Sequence, residues 1–307
     1  MASTKKNLTP HFDDVQAHYD LSDEFFRLFL DPSQMYSCAY FERDDMTLEE
    51  AQRAKVDLAL GKLGLEPGMT LLDVGCGCGW GWGYTMMRAV ERYDVDVIGL
   101  TLSENQKAHV ERLFAESGDG RRKEVRLEGW EDFNEPVDRI VSIGAFEHFG
   151  RDRWDDFFAT AYRMLPGDGV MLLHTITALT IPQMIERGIP LTFSVARFIK
   201  FILTEIFPGG YLPTIELVGE HAGTAGFTLT PEQSLQPHYA RPLDHWSAAL
   251  DVHKAEAIAV QSEEVYDRYM HYLTGCADAF RKGYRRQPVH DGQAARLSEL
   301  DQVTGQR

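Results

Sequence analysis

Cysteine is scarce in this chain and poorly spaced for cross-linking or metal capture. There are four, Cys38, Cys76, Cys78 and Cys276, and no two form a C-x-x-C pair. That spacing argues against a zinc site and against a disulfide framework, so no metal is expected and a reducing compartment is. Long apolar runs are missing too, which leaves no stretch able to span a bilayer. The opening MASTKKNLTPHFDD carries no apolar signal core. These absences predict a cytoplasmic protein with no transmembrane segment. Positive charge is also short: 31 Lys and Arg stand against 47 Asp and Glu, a net charge of −16. A general nucleic-acid binder needs a basic face for phosphates, so that class is set aside.

What the chain does have is one dense run of glycine, from Asp73-Val74-Gly75-Cys76-Gly77-Cys78-Gly79 to Trp80-Gly81-Trp82-Gly83. An apolar strand at 69–74 precedes it and a helical pattern at 84–93 follows. Glycine allows positive φ and close approach of a ligand to the backbone. The N–H groups that open a helix lack intrahelical partners and attract electron-rich groups. A tight strand-to-helix turn would use the same residues for shape alone. The spacing is not the G-x-G-x-x-G of dinucleotide folds, which seats a pyrophosphate. D-x-G-x-G resembles the first motif of S-adenosylmethionine (SAM) methyltransferases. Cys76 and Cys78 read as small fillers of the turn.

Strands and helices alternate from residue 69, at 96–101, 124–127, 137–143 and 170–174, with helices between them. This predicts an α/β fold, a doubly wound and mostly parallel sheet. Before it, residues 1–66 read as a helical lid. Ser22 is a candidate N-cap there, and Thr47 with Glu50 has the capping-box pattern. Residues 67–175 form the core, and 176–225 break the alternation as a helical insertion. Its apolar stretch 197–207 reads as a buried helix or as the wall of an apolar channel. Residues 226–284 supply a sixth strand near 227–230 and helices at 243–260 and 263–284. The polar run 285–307 shows no strand pattern and is expected to be poorly ordered.

Over residues 9–284 the chain resembles the cyclopropane mycolic acid synthase family, SAM-dependent methyltransferases of very long fatty chains. The motifs that carry the likeness include HFDDVQAHYDLSDEFFRLFLDP, YSCAYFERDDMTLEEAQ, LLDVGCG, VIGLTLSENQ, EGWEDF, VDRIVSIGAFEHFG, FIKFILTEIFPGG and SLQPHYA. The resemblance implies the class I SAM-methyltransferase fold and a cofactor pocket of Tyr36, Ser37, Asp73, Gly75, Gly77, Thr101, Leu102, Gln106, Trp130 and Glu131. It implies a bound bicarbonate as proton acceptor, held by Cys38, Glu147, His174, Tyr239 and the backbone of Ile143, with Cys276 nearby. It implies an unsaturated acyl substrate on an acyl carrier protein, with Arg197 and Lys200 as candidate contacts. Methyl transfer to an alkene leaves a carbocation, for which Tyr19, Tyr36 and Tyr239 are candidate aromatic faces. Loss of a proton closes a cyclopropane ring, whereas water capture gives a methyl-branched hydroxy chain.

The chain departs from the family pattern twice. Its turn reads G-C-G-C-G-W-G-W-G where the family has G-C-G-W-G, about four residues in surplus. Weaker SAM binding is expected from that, and an impaired lipid- or carrier-binding relative is the alternative reading. The family also ends on an apolar strand that 285–307 does not resemble, so an open edge beside 170–174 is expected.

Overall fold

The computed structural model describes residues 8, 10, 22–77, 82–118, 120–190, 192–230, 233–283, 285–286 and 288–293. Two short helices come first, and local chemistry sets where each begins. Ser22 accepts from the Phe25 N–H at 3.3 Å and caps α1 (Asp23–Arg27). Thr47 and Glu50 exchange hydrogen bonds and open α2 (Leu48–Gly61). Both caps satisfy N–H groups that the first turn leaves unbonded, as the sequence predicts.

The alternating region then runs β1 (Thr70–Val74), α3 (Tyr84–Tyr93), β2 (Asp96–Thr101), α4 (Glu104–Glu116), β3 (Lys123–Leu127), β4 (Arg139–Ile143), α5 (Trp154–Met164) and β5 (Val170–His174). The insertion holds β6 (Thr177–Ala178), α6 (Ile181–Glu186), α7 (Phe193–Phe201), a π-helix (Ile202–Ile206) and α8 (Ile215–Ala225). The chain continues through β7 (Thr228–Leu229), β8 (Gln233–Ser234), α9 (Ala240–Val252), α10 (Lys254–Val260), α11 (Glu263–Arg281), β9 (Arg285–Arg286) and β10 (Pro288–Gln293).

The main sheet has the order β3-β2-β1-β4-β5-β10-β7, and its first five strands are parallel. This is the expected α/β, doubly wound sheet. Alternation along the strands divides its core into two layers. Leu71, Val97, Val141 and Leu172 pack in one apolar cluster, with α2 and α3 residues. Leu72, Ile98, Ile140 and Leu173 pack in the other, with α5 and α8 residues. Strands covered on both faces read as continuous apolar runs for this reason. The chain leaves β1 toward β2 and β3, then returns to β4 on the other side. That reversal opens a crevice at the carboxyl ends of β1 and β4.

Three expectations need correction. The helix at 197–207 begins earlier, at Phe193, because Thr192 accepts from the Val195 N–H at 3.3 Å and caps it. It passes into the π-helix; none of the residues of α7 is buried, whereas Ile202 and Ile206 of the π-helix are, so the buried-helix reading holds only for the second half of the stretch. The helix expected at 243–260 breaks at His253, whose backbone (φ −96°, ψ 22°) leaves the helical region. The missing final strand is present as β10, antiparallel to β5 from Val289↔His174 to Gln293↔Val170 and to β7 beyond. Its ladder is made by backbone groups, which need no apolar alternation to pair. The open edge is therefore filled; residues 294–307 lie outside the described residues.

Removing residues 284–307 should strip β5 of this neighbour. We expect the melting temperature to fall by roughly 4–8 °C, with aggregation on heating. A thermal melt unchanged by the truncation would show that β10 contributes nothing to the sheet.

Candidate active site

The turn after β1 is built as a fold-back. Gly75 has φ +84°, and the N–H groups of Gly75 and Cys76 donate to Leu100 O at 3.1 and 2.9 Å. Gly83, with φ +92°, occupies the left-handed position before α3. Gly77 needs its bare Cα for another reason than ligand approach: an added Cβ would lie 1.9 Å from Gln106 Oε1. Gln106 donates from Nε2 to Gly77 O at 3.0 Å and accepts from the Thr101 hydroxyl at 2.7 Å. Its amide thus ties the turn to the end of β2. Residues 78–81, on which the expectation of weakened SAM binding rests, lie outside the described residues, as does Tyr19.

Gly75, Thr101, Leu102, Trp130, Glu131 and His148 border a small cavity of about 50 Å³ over the carboxyl ends of the strands. Trp130 packs edge-on to Phe157 at 5.3 Å between ring centres. Glu131 is paired with Arg153 at 2.9 Å, and burial holds its carboxyl above the usual range. Asp73, buried at the end of β1, is pushed up to about 7 by loss of hydration, with the charge of Lys55 acting against the shift. Tyr36 and Ser37 do not border this cavity. They line a larger one of about 490 Å³, together with Glu147, Tyr239, Phe198 and Leu203. His148 belongs to the walls of both.

The other expected residues come from six segments and meet. Cys38 Sγ lies 3.6 Å from His174 Nε2. Ile143 is the register partner of His174 across β4 and β5. Glu147 sits on the single helical turn Phe146–His148 after β4, and its Oε1 accepts from the Ile176 N–H at 2.7 Å. Its Oε2 is buried without a hydrogen-bond partner among the described residues. Burial raises the Glu147 carboxyl to about 7, against the pull of hydrogen bonds from the backbone and from Thr175. Tyr239 stacks on Phe280 at 3.9 Å. Burial lifts its phenol far above the usual value, and Tyr272, Cys38, Glu147 and Cys276 add to the effect. Burial also pushes the Cys38 thiol up to about 12. At neutral pH the thiol and the phenol are therefore uncharged.

Sequence reasoning missed three residues here: Lys55, His148 and Tyr272. Lys55 follows Ala51 and precedes Ala59 by four positions, on the buried stripe of α2. A lysine at that spacing was the available signal. His148 follows Glu147 in the turn at the carboxyl edge of the sheet; burial drops its pKa to about 4, so the ring is neutral. Tyr272, on α11, lines the larger cavity.

The mycolic acid cyclopropane synthetase family model matches residues 6–287. Cyclopropane mycolic acid synthase MmaA2 of Mycobacterium tuberculosis is 70% identical over 278 residues, 91% of this chain and 96% of that protein. Cyclopropane mycolic acid synthase 1 of the same organism is 70% identical over 277 residues, 90% and 95% of the two chains. The crystal structure of mycolic acid cyclopropane synthase CmaA1 complexed with SAH and CTAB superposes with a TM-score of 0.90 at 68% identity, covering 94% of this chain and 100% of that one.

Two predictions follow from the packing and the titration. Gly77→Ala should cost about 1–3 kcal/mol by evicting Gln106 from two hydrogen bonds. On a Gln106→Ala background the same replacement should cost little, and an equal cost in denaturant unfolding would refute the clash. The Glu147 carboxyl is raised on folding, so its contribution is present in acid and lost as pH climbs through about 7. Glu147→Gln should therefore gain on the parent by about 2–3 kcal/mol between pH 5 and pH 8. Identical pH slopes for the two proteins would show the carboxyl to be hydrated.

Proposed function

This chain belongs to the mycolic acid cyclopropane synthetase family and is a SAM-dependent methyltransferase, and from that premise we propose that it methylates a double bond of a very long acyl chain and closes a cyclopropane ring. One observation carries the reading. A mainly apolar cavity of about 490 Å³, with Glu147 and Tyr239 in its wall, shares His148 with the cavity at the glycine turn. Donor side and acyl side thus adjoin.

SAM supplies an electrophilic sulfonium methyl. In this reading Gly75, Thr101, Leu102, Trp130 and Glu131 hold its adenosyl part, and Tyr36 and Ser37 reach the cofactor from the wall of the adjoining larger cavity. The faces of Tyr36 and Tyr239 stabilise positive charge developing on the alkene by roughly 0.5–2 kcal/mol each. The neutral Cys38 thiol and Tyr239 phenol keep strong nucleophiles away from that cation. Apolar walls keep water out, which disfavours capture as an alcohol.

The acceptor Oε2 of Glu147, buried without a partner among the described residues and within electrostatic reach of Tyr239, fits a small protonated anion. Bicarbonate there would be held by Cys38, Glu147, His174, Tyr239 and the Ile143 backbone, and would supply a proton acceptor. A carboxyl raised to about 7 is partly protonated at neutral pH, so Glu147 can donate to an anion rather than repel it. Cys276 lines the cavity near this corner. The acyl chain in this reading arrives on an acyl carrier protein. Arg197 and Lys200 are exposed on α7, beside the cavity residues Phe198 and Ile199, and are the proposed contacts.

Labelled SAM, incubated with the protein and an unsaturated acyl carrier or lipid extract, tests this. Label should enter a cyclopropane product, and Glu147→Gln should slow it by roughly 100-fold or more while SAM still binds. A hydroxylated methyl-branched product would favour water capture, and SAM binding without transfer would favour an impaired relative.

A further inference from the structure

The motif SLQPHYA gives only Tyr239 to the chemistry above. Gln236, Pro237 and His238 form the single 3-10 turn that leads into Tyr239 and α9. They hold Tyr239 from both flanks. Gln236 donates from Nε2 to Phe280 O on α11 at 3.2 Å, and Tyr239 stacks on the ring of that same residue. His238 reaches the other way. Its Nδ1 accepts from the Phe41 N–H at 3.3 Å, and its ring meets Tyr40 edge-on at 5.0 Å. Arg241, on α9, lies over the Phe41 ring at 3.7 Å and donates from Nη2 to Asp44 O at 3.0 Å.

On the far side of these contacts is the segment that carries Cys38. Residues 36–44 form neither helix nor strand, so single contacts, not a ladder, set their path. Toward α2, Gln52 Nε2 donates to Ser37 O at 3.2 Å, and the Tyr40 N–H donates to Ala51 O at 2.9 Å. Toward α9, the contacts are those to His238 and Arg241. Cys38 meets His174 and is near enough to Tyr239 to bear on its phenol. The hydrogen bond from Phe41 therefore joins two segments whose reactive side chains face one corner. An N–H can only donate, so Nδ1 of His238 is the acceptor and the ring proton sits on Nε2. Burial and the charge of Arg241 lower the pKa of His238, which favours the neutral ring that this bond requires. Phe41 is buried, so its N–H is costly to leave without an acceptor.

We propose that His238 is a positioning residue: by accepting from the Phe41 N–H it locks the Cys38 segment to the turn that carries Tyr239, and so sets how these two side chains face each other. Its bearing on turnover rests on the reading that places Cys38 and Tyr239 at the reacting corner. The test labels buried thiols of the full chain with iodoacetamide and reads each cysteine by peptide mass spectrometry. Cys276, buried on α11, is the internal measure of global opening. His238→Phe keeps a ring but cannot accept. In it, Cys38 labelling should rise roughly 10-fold relative to Cys276, and kcat for cyclopropanation should fall roughly 10- to 100-fold. His238→Asn puts an amide oxygen where Nδ1 stood and accepts again, so both readings should return to within about threefold of the parent. Cys38 and Cys276 opening together, an unchanged ratio, unchanged turnover in His238→Phe, or no rescue by His238→Asn overturns the proposal. Should His238→Phe fail to fold, His238→Ala carries the same comparison. If labelling is selective and rescued but the parent forms no cyclopropane, the reading of the reaction falls and the lock stands. If the parent is active and labelling is unselective, the lock alone falls.

Discussion

Desolvation governs this protein. Around the carboxyl ends of β1, β4 and β5 the fold gathers Asp73, Lys55, Glu147, His148 and Cys38 and removes them from water. In each of them burial is the largest influence on the proton affinity. Burial penalises whichever form is charged. Carboxyls rise, the imidazole and the ammonium fall, and the thiol rises. At neutral pH the result is a corner in which the thiol and the imidazole are uncharged, the two carboxyls are partly protonated and Lys55 stays an ammonium, on a chain whose overall charge is −16. The acidic surface says nothing about the interior, because surface charge is hydrated and screened and buried charge is not.

That corner explains why the sheet is arranged as it is. The residues come from β1, β4, β5, the turn after β4, α2 and the segment before it. No local stretch could hold so many ionisable groups dry. A doubly wound sheet brings strand ends from distant parts of the sequence to one edge. Helix α2 crosses that edge with Lys55 and Gln52 on the face it buries.

Much of this was legible in the chain and some was not, for identifiable reasons. Four of the five parallel strands announced themselves because both faces are covered, which writes an apolar run; the edge strand β3, KEVRL, buries only Val125. The helix starts at Ser22 and Thr47 were legible from cap chemistry. Strand β10 was not, because PVHDGQ is placed by backbone pairing on a ready template and carries no pattern of its own. The break at His253 is a backbone choice within a continuous apolar periodicity. The apolar stretch 197–207 was half legible: it is buried at Ile202 and Ile206 but at no residue between Arg197 and Phe201. At the site, the family likeness supplied Cys38, Glu147, His174 and Tyr239, each of which alone reads as ordinary core. Lys55 was recoverable from helix spacing without any likeness.

The lengthened glycine turn is the remaining departure, and its flanks bear on what it does. Gly83 N–H donates to Cys76 O at 3.4 Å, and Gln106 grips Gly77 from the other side. The chain is thus pinned just before residue 78 and just after residue 81. Four residues added between points already held together leave the separation of β1 and α3 unaltered. Closure entropy grows slowly with loop length, about 0.6 kcal/mol for each doubling. The fold therefore tolerates such an insertion at small cost to the sheet.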